Sequence, residues 1–336
     1  MTCPVFGSFG DAYRTVLAHV SEHAEHVTSS RGNRARECLN VGFTLADPRQ
    51  RIVYAPARRA NIVFCFAEAL WYLLGRDDLA MIGFYAPRLR TLASDHGRLT
   101  GTAYGPRLFG QVARELSRWQ RACTLPETDP DSKRTVLGIF DPRELADPAN
   151  PDVSCTLAVH LLRRAGRLHA ITYMRANDAV TGLLCDVFSF TLIQEFTARQ
   201  LGLQLGSYTH HAGSMHINDP DASRARRIIT EPAVRQPPFP ALTMPPTTPE
   251  DLRCIGRFEE ALRRDQQRLR PADLSRTGLH PYWQQVLLLF ETYRQISYEH
   301  GAVSPETLLA LKPGYRWLVM HRWPDAIPAS IPKDAP

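Results

Sequence analysis

The sequence predicts an α+β or mixed α/β fold, a mixed β-sheet flanked by helices with a helical extension at the C-terminal end, and three observations lead there. Short runs of β-branched and apolar residues share the chain with longer stretches of helical periodicity. One segment is too proline-rich for either element, and nothing repeats internally. With 336 residues, 44% hydrophobic and 22% charged, the chain has the composition of an ordinary globular protein able to bury a large core.

In chain order, residues 10–27 read as a helix because Tyr13, Val16, Leu17 and Val20 recur at helical spacing. The stretch SSRGNRARE (29–37) breaks that period and reads as a basic loop, after which Leu39, Val41 and Phe43 alternate as a strand. Residues 59–74 form an apolar helix ending at Gly75, a residue suited to the left-handed position after a helix. Glu68 is the one acidic residue inside that run, either a carboxylate on the solvent face or a functional group. Residues 134–140, 155–162 and 167–173 read as strands, and 187–201 as a helix stopped by Gly202. The seven prolines of 232–249 exclude a long helix or a central strand. Beyond them, 249–268 and 281–299 read as helices, with 1–268 as the main domain and 269–336 as a helical extension packed on it.

Composition narrows the function. No apolar run approaches the roughly 18–20 residues of a membrane span, and no secretory leader is apparent, so the expected compartment is the cytoplasm. Seven cysteines without a CxxC pair fit neither a disulfide framework nor a structural zinc site, and no metal is expected. The net charge of +6 comes from dispersed arginines, which suits a phosphate-bearing small molecule better than nucleic acid.

Three features with chemical potential fall in one block: Cys155, then MRANDAVTGLLCD (174–186), then GSYTHHAGSMHIND (206–219). Here the chain resembles the thymidylate synthases and the related deoxycytidylate hydroxymethylases. Cys155, Arg175, Asp178, Gly182, Asp186, Gly213 and His216 follow the family's order and spacing. Upstream, AEALWYL (67–73), TAYG (102–105) and DSKR (131–134) resemble the family's glutamate helix, its tyrosine-glycine segment and its paired basic residues.

That resemblance implies roles. Cys155 is the nucleophile, since a thiolate adding to C6 of a pyrimidine makes C5 carbanion-like and able to attack an electrophilic methylene. Glu68 and Tyr104 assist proton transfers, and Glu68 thereby acquires the functional reading. Arg31, Arg175, Lys133 and Arg134 cradle the phosphate, with the 133/134 pair supplied by the other subunit of a homodimer. His216 contacts the ribose, while Asp178 and Gly182 bind the co-substrate 5,10-methylenetetrahydrofolate. His210 and His211 match no metal-ligand spacing and are expected to be structural.

The departures from the family are equally informative. Asp186 stands where thymidylate synthases have Asn, and a carboxylate accepts from the exocyclic amine of cytosine while sharing a proton with N3. The stretch 74–103 lacks the family's tryptophan, and the chain ends in ASIPKDAP in place of a short aliphatic tail. Both favour water over hydride as the group that captures the methylene, giving a hydroxymethyl product. Ala176 replaces serine, Lys133 arginine, Asn218 tyrosine and Thr156 histidine, which together suggest an altered nucleotide pose and the ribonucleotide CMP as substrate. A deoxycytidylate hydroxymethylase, a uridylate or deoxyuridylate methylase, and a non-catalytic nucleotide- or RNA-binding relative are the alternatives.

Overall fold

The computed structural model describes residues 3–30, 32–93, 97–110, 116–232, 238–299 and 301–331. Strand β1 (Val5–Phe6) leads into α1 (Phe9–Glu22), which Ser8 caps by accepting from the Asp11 amide. The hairpin β2 (His26–Ser30) and β3 (Asn33–Leu45) follows, then α2 (Ile62–Leu73), α3 (Leu79–Tyr85), α4 (Gly105–Leu108) and α5 (Arg118–Thr128). Next come β4 (Val136–Gly138), β5 (Thr156–Arg164), β6 (Arg167–Asp178), α6 (Gly182–Gln200) and β7 (Gln204–Asn218). Helices α7 (Ala222–Thr230), α8 (Pro249–Arg263), α9 (Pro281–Arg294), α10 (Pro305–Ala310) and α11 (Pro313–Arg322) complete the chain.

The sheet is mixed, in the order β1, β3, β7, β6, β5, β4, with β2 paired on β3. Strands β5 and β6 form an antiparallel hairpin, whereas β6 and β7 run parallel. A parallel pair needs a crossover, and α6 supplies it. The same crossover carries the strand that follows Cys155, the segment 174–186 and the segment 206–219 into adjacent places. Against the sheet lie α6 and α1, and on α6 packs α2, every residue of which is buried, with Trp71 completely enclosed. Helix α9 contributes Val286, Leu287, Leu288, Leu289 and Phe290 to the same core, so the C-terminal helices share it.

Several expectations need correcting. Residues 29–30 and 33–37 are paired strand rather than loop: Val27 pairs with Arg36 and Ser29 with Arg34. The helix expected over 10–27 stops at Glu22, because the Glu25 amide is claimed by the Glu37 carbonyl of that hairpin. The first turn of α6 starts at Gly182, five residues earlier than periodicity suggested, and α8 ends at Arg263. The long strand β7 was not anticipated at all, because buried His210 interrupts its apolar alternation. Gly75 does follow α2 in the left-handed region, at φ 65°. Among the described residues, no helix is long and apolar enough to cross a membrane.

Candidate active site

Cys155 sits immediately before β5, half-buried, with the Arg175 guanidinium 3.8 Å from its Sγ. Pairing of β5 with β6 fixes that approach: the Arg175 amide donates to the Cys155 carbonyl at 2.8 Å, and its Nε donates to the Ser154 carbonyl at 2.8 Å. The residue before the cysteine is clamped as well. The Ser154 amide and hydroxyl both donate to Glu144, at 2.8 and 2.9 Å, while Arg107 donates to the Ser154 Oγ at 2.7 Å. A nucleophile on so heavily bonded a backbone has little freedom to wander.

Tyr104 closes the other side. Its ring stacks on Tyr72 at 5.1 Å and on Phe190 at 6.0 Å, and its hydroxyl accepts from the Thr156 amide at 3.4 Å. Burial, then the negative charges of Cys155 and Asp186, hold the phenol well above its ordinary value. The segment leading to Tyr104 is locked by Asp152, whose carboxylate accepts from the amides of Thr100, Gly101 and Thr102 at 2.7, 2.8 and 2.7 Å.

Glu68 is only 8% exposed, which overturns a solvent-face reading of that carboxyl. It faces α6, where the Ser189 hydroxyl donates to its Oε2 at 3.1 Å. Burial above all, with the neighbouring Cys185 and Asp186, raises its pKa well above the usual carboxyl range. Asp186 lies one turn into α6 and accepts from Asn177 Nδ2 at 2.8 Å. Burial pushes its pKa up to about 7, with the Asp178 charge adding to the rise and the Asn177 bond and Arg88 opposing it. The absence of a side chain at Gly182 matters here, because a Cβ would lie 3.2 Å from Asn177 Nδ2 and 3.5 Å from Asp186 Oδ2.

Around the expected sugar and phosphate sites the residues divide. Arg31 lies outside the described residues. Ala176 is half-buried beside Arg175, and its partner across the sheet is Ser214. His216 pairs with Asp178 in the β6–β7 register, its carbonyl accepting from the Ala179 amide at 2.8 Å. Asp178 accepts from the Val180 and Thr181 amides at 2.8 and 3.0 Å and from Asn218 Nδ2 at 3.2 Å, so it organises the turn into α6. Lys133 and Arg134 are not brought to this cluster. The Lys133 carbonyl accepts from His160 Nε2 at 3.0 Å, five residues along β5 from Cys155, or roughly 16 Å at strand rise. Arg134 is exposed and pairs with Asp129 at 3.4 Å.

A basic cavity of about 530 Å³ adjoins α6, lined by Arg58, Arg59, Arg88, Arg224, Arg227 and Arg322 together with Thr181 and Cys185. Nε of Arg224 and Nε of Arg322 are buried there with no hydrogen-bond partner among the described residues. Burial, and the charges of Arg59 and Arg58, hold the Arg322 guanidinium below its usual pKa. A crowd of cations with unspent donors suits a polyanion. Among the described residues, no group of three His, Cys, Asp or Glu is placed to hold a metal ion.

Sequence reasoning missed this cavity because its arginines come from four separate stretches of chain. It also passed over Asn177, went no further with His210 than a structural reading, and did not single out Ser189 or Asp152. A signal existed for the first two: period-two alternation turns Asn177 away from Ala176 and Asp178, and puts His210 on one face with Tyr208.

The sequence profile described as thymidylate synthase matches residues 11–259. The chain belongs to the thymidylate synthase family. Among curated members of that family, the deoxyuridylate hydroxymethyltransferase of Bacillus phage SP01 is 29% identical over 217 residues, covering 61% of this chain and 56% of the relative. The thymidylate synthase of Symbiobacterium thermophilum is 28% identical over 198 residues, covering 55% of this chain and 68% of the relative. A second deoxyuridylate hydroxymethyltransferase, from Delftia phage PhiW-14, is 29% identical, covering 53% of this chain and 51% of the relative. The chain thus spans about half to two thirds of the length of the family members it matches. The matched segment contains the Cys155 block and α2, and leaves α9, α10 and α11 outside it.

Proposed function

We propose that this chain is a pyrimidine nucleotide C5-hydroxymethylase that acts on CMP, with 5,10-methylenetetrahydrofolate as one-carbon donor. One feature carries the reading: the base-facing position of the family holds a carboxyl, Asp186 on α6, bonded to Asn177 Nδ2 and with its pKa pushed up by burial to about 7. A carboxyl poised near neutrality gives a proton to N3 of cytosine and accepts from the exocyclic amine, a pairing that uracil does not complement. The altered sugar and phosphate contacts, Ala176, Lys133 and Asn218, support the ribonucleotide. They resemble those of the cytidylate hydroxymethylase of mildiomycin-type nucleoside antibiotic biosynthesis.

In this mechanism Cys155 adds through sulfur to C6 of the base, and the Arg175 guanidinium beside it stabilises the negative charge on sulfur before attack. Asp186 shares its proton with N3 as charge develops on the ring. The Tyr104 hydroxyl, which accepts from the Thr156 amide next to Cys155 and stays protonated, would assist removal of the C5 proton by orienting the water that takes it up. When bound, 5,10-methylenetetrahydrofolate supplies the electrophilic carbon. Its carboxylates match the basic cavity, where Arg58, Arg224 and Arg322 would hold them and Thr181, next to Gly182, lines the wall. Glu68, its pKa raised by burial and its position fixed by Ser189, would order the water that adds to the methylene carbon once that carbon's C–N bond to the departing tetrahydrofolate has broken, giving the hydroxymethyl group. Elimination of the Cys155 thiolate then restores the aromatic base.

A homodimer belongs to the same reading. Leu39, Leu157 and Tyr173 are exposed by 47, 39 and 38% although they stand in or beside inner strands of the sheet. A second copy against the sheet would cover them. It would also bring the distant Lys133 and Arg134 to its partner's phosphate.

The test is tritium release from 5-labelled CMP, dCMP and dUMP with the folate present, read beside absorbance at the dihydrofolate band. Release from CMP above dCMP, with no dihydrofolate, is the expected outcome. Stoichiometric dihydrofolate would overturn water capture. A second reading, deoxyuridylate hydroxymethylation, is favoured by the names of the phage relatives, and dominant release from dUMP would select it.

A further inference from the structure

Behind Asp186 runs a line of buried polar groups that the reaction as derived does not use. Asn177 donates to Asp186 from Nδ2, which leaves its Oδ1 as the acceptor facing His210 Nε2 at 3.0 Å. His210 Nε2 must then carry the proton, so Nδ1 is the ring's acceptor, and its partner at 3.0 Å is the Tyr208 hydroxyl. Every bond thus points the same way: Tyr208 donates to His210, His210 to Asn177, and Asn177 to Asp186. His210 is completely buried, stacked on Phe43 at 5.5 Å. Burial lowers its pKa to about 3, so the single-proton form is the only one present at neutral pH. Asn177 is itself buried, 3% exposed.

We propose that His210 is a positioning residue that, through Asn177, fixes the orientation of Asp186 and its affinity for a proton, and so sets the enzyme's preference for cytosine. The inference rests on the reading of Asp186 as the base-recognising group. An amide side chain is nearly symmetric in shape, so Asn177 alone is free to present either its NH2 or its oxygen to the carboxyl. The His210 N–H resolves that choice, because only Oδ1 can accept it. The amide NH2 is thereby committed to Asp186 Oδ2, where it stabilises the ionised form and leaves Oδ1 to exchange the proton with the base. Aligned donors polarise one another, which strengthens the last bond in the line. Other groups bear on Asp186 from the surrounding elements: Asp178 on β6, Glu68 and Tyr72 on α2, Cys185 on its own helix, Tyr104, Tyr208, and the cation of Arg88. Among the described groups around it, Asn177 is the one that donates a hydrogen bond to the Asp186 carboxyl.

Two measurements separate this role from mere packing. In His210→Phe the ring volume stays but the N–H is lost, and the Asn177 amide becomes free to turn. The ratio of kcat/KM for CMP over UMP should fall at least tenfold, and the alkaline limb of the CMP pH profile, where Asp186 loses the proton it gives to N3, should move upward by about one unit. His210→Gln, whose amide can still donate to Asn177, should recover most of the ratio. In an Asp186→Asn background, His210→Phe should change the ratio no further, since the two act on one contact. The carboxyl titration is also read directly, by carbon-13 NMR of aspartate-labelled protein with Asp186→Asn identifying the resonance. Its midpoint should rise in His210→Phe. A folded His210→Phe protein with the wild-type titration midpoint and ratio overturns the proposal. If the wild type releases no tritium from CMP, the functional reading fails, and the NMR midpoint still decides the relay.

Discussion

A carboxyl that titrates near neutrality is a different reagent from one that stays ionised, and Asp186 acquires that property from its surroundings. Its pKa of about 7 reflects burial first and the charge of Asp178 next. Replacing it with Asn removes a charge-assisted contact to the exocyclic amine and should cost the cytosine transition state about 1.5–3 kcal/mol relative to uracil. The measurement is kcat/KM on CMP and UMP, and an unchanged ratio would mean that Asp186 does not read the base. Stability gives a second signature. Because the folded-state pKa is raised above the unfolded value, ionising Asp186 favours unfolding. Its contribution is intact below about pH 4 and is lost as pH rises through about 7. The melting temperature of Asp186→Asn relative to wild type should therefore climb between pH 4 and 7 and level off above that range.

At the scale of elements, the reacting groups are held by short irregular segments tied down by buried carboxylates. Asp152 gathers the amides of Thr100, Gly101 and Thr102 and the Thr102 hydroxyl, and so delivers Tyr104 to its place beside Cys155. Asp152→Asn turns acceptors into donors at a buried site. It should destabilise the fold by about 2–4 kcal/mol in denaturant titration. It should also lower kcat more than it raises KM, as the role proposed for Tyr104 at the C5 proton requires. A variant that loses stability yet keeps kcat would detach this loop from catalysis. None of this was visible in sequence, where Asp152 is one of many acidic loop residues. By contrast, Cys155, Arg175 and Asp186 could be singled out beforehand, because their types and spacing repeat a family pattern.

At the scale of the whole molecule, the separation of Lys133 and Arg134 from Cys155 has a direct consequence. If each phosphate site is completed by a second subunit, Cys155→Ala and Arg134→Ala proteins, each inactive alone, should complement one another on mixing. A heterodimer gathers both lesions into one site and leaves the other whole. Recovery should approach a quarter of wild-type activity for random exchange, since half the dimers are mixed and each carries one intact site of two. No recovery after verified subunit exchange would place Arg134 outside the site.

The sequence alone determined the helical core of α2, the hairpin of β5 and β6 and the apolar helix α6, and it singled out Cys155 as the candidate nucleophile. Those features are local: periodicity, a glycine stop, or residue types at fixed spacing. Tertiary structure decided the rest. It buried Glu68, which periodicity left open, by packing α2 against α6 where Ser189 satisfies the carboxyl. It made a central strand of 204–218 despite its histidines, because the neighbours β3 and β6 supply hydrogen bonds and Asn177 and Tyr208 satisfy the buried His210 ring. It gathered arginines from distant segments into one cavity and set the proton affinity of Asp186. Burial and long-range polar contact depend on which surfaces meet, and no local pattern of residues encodes that.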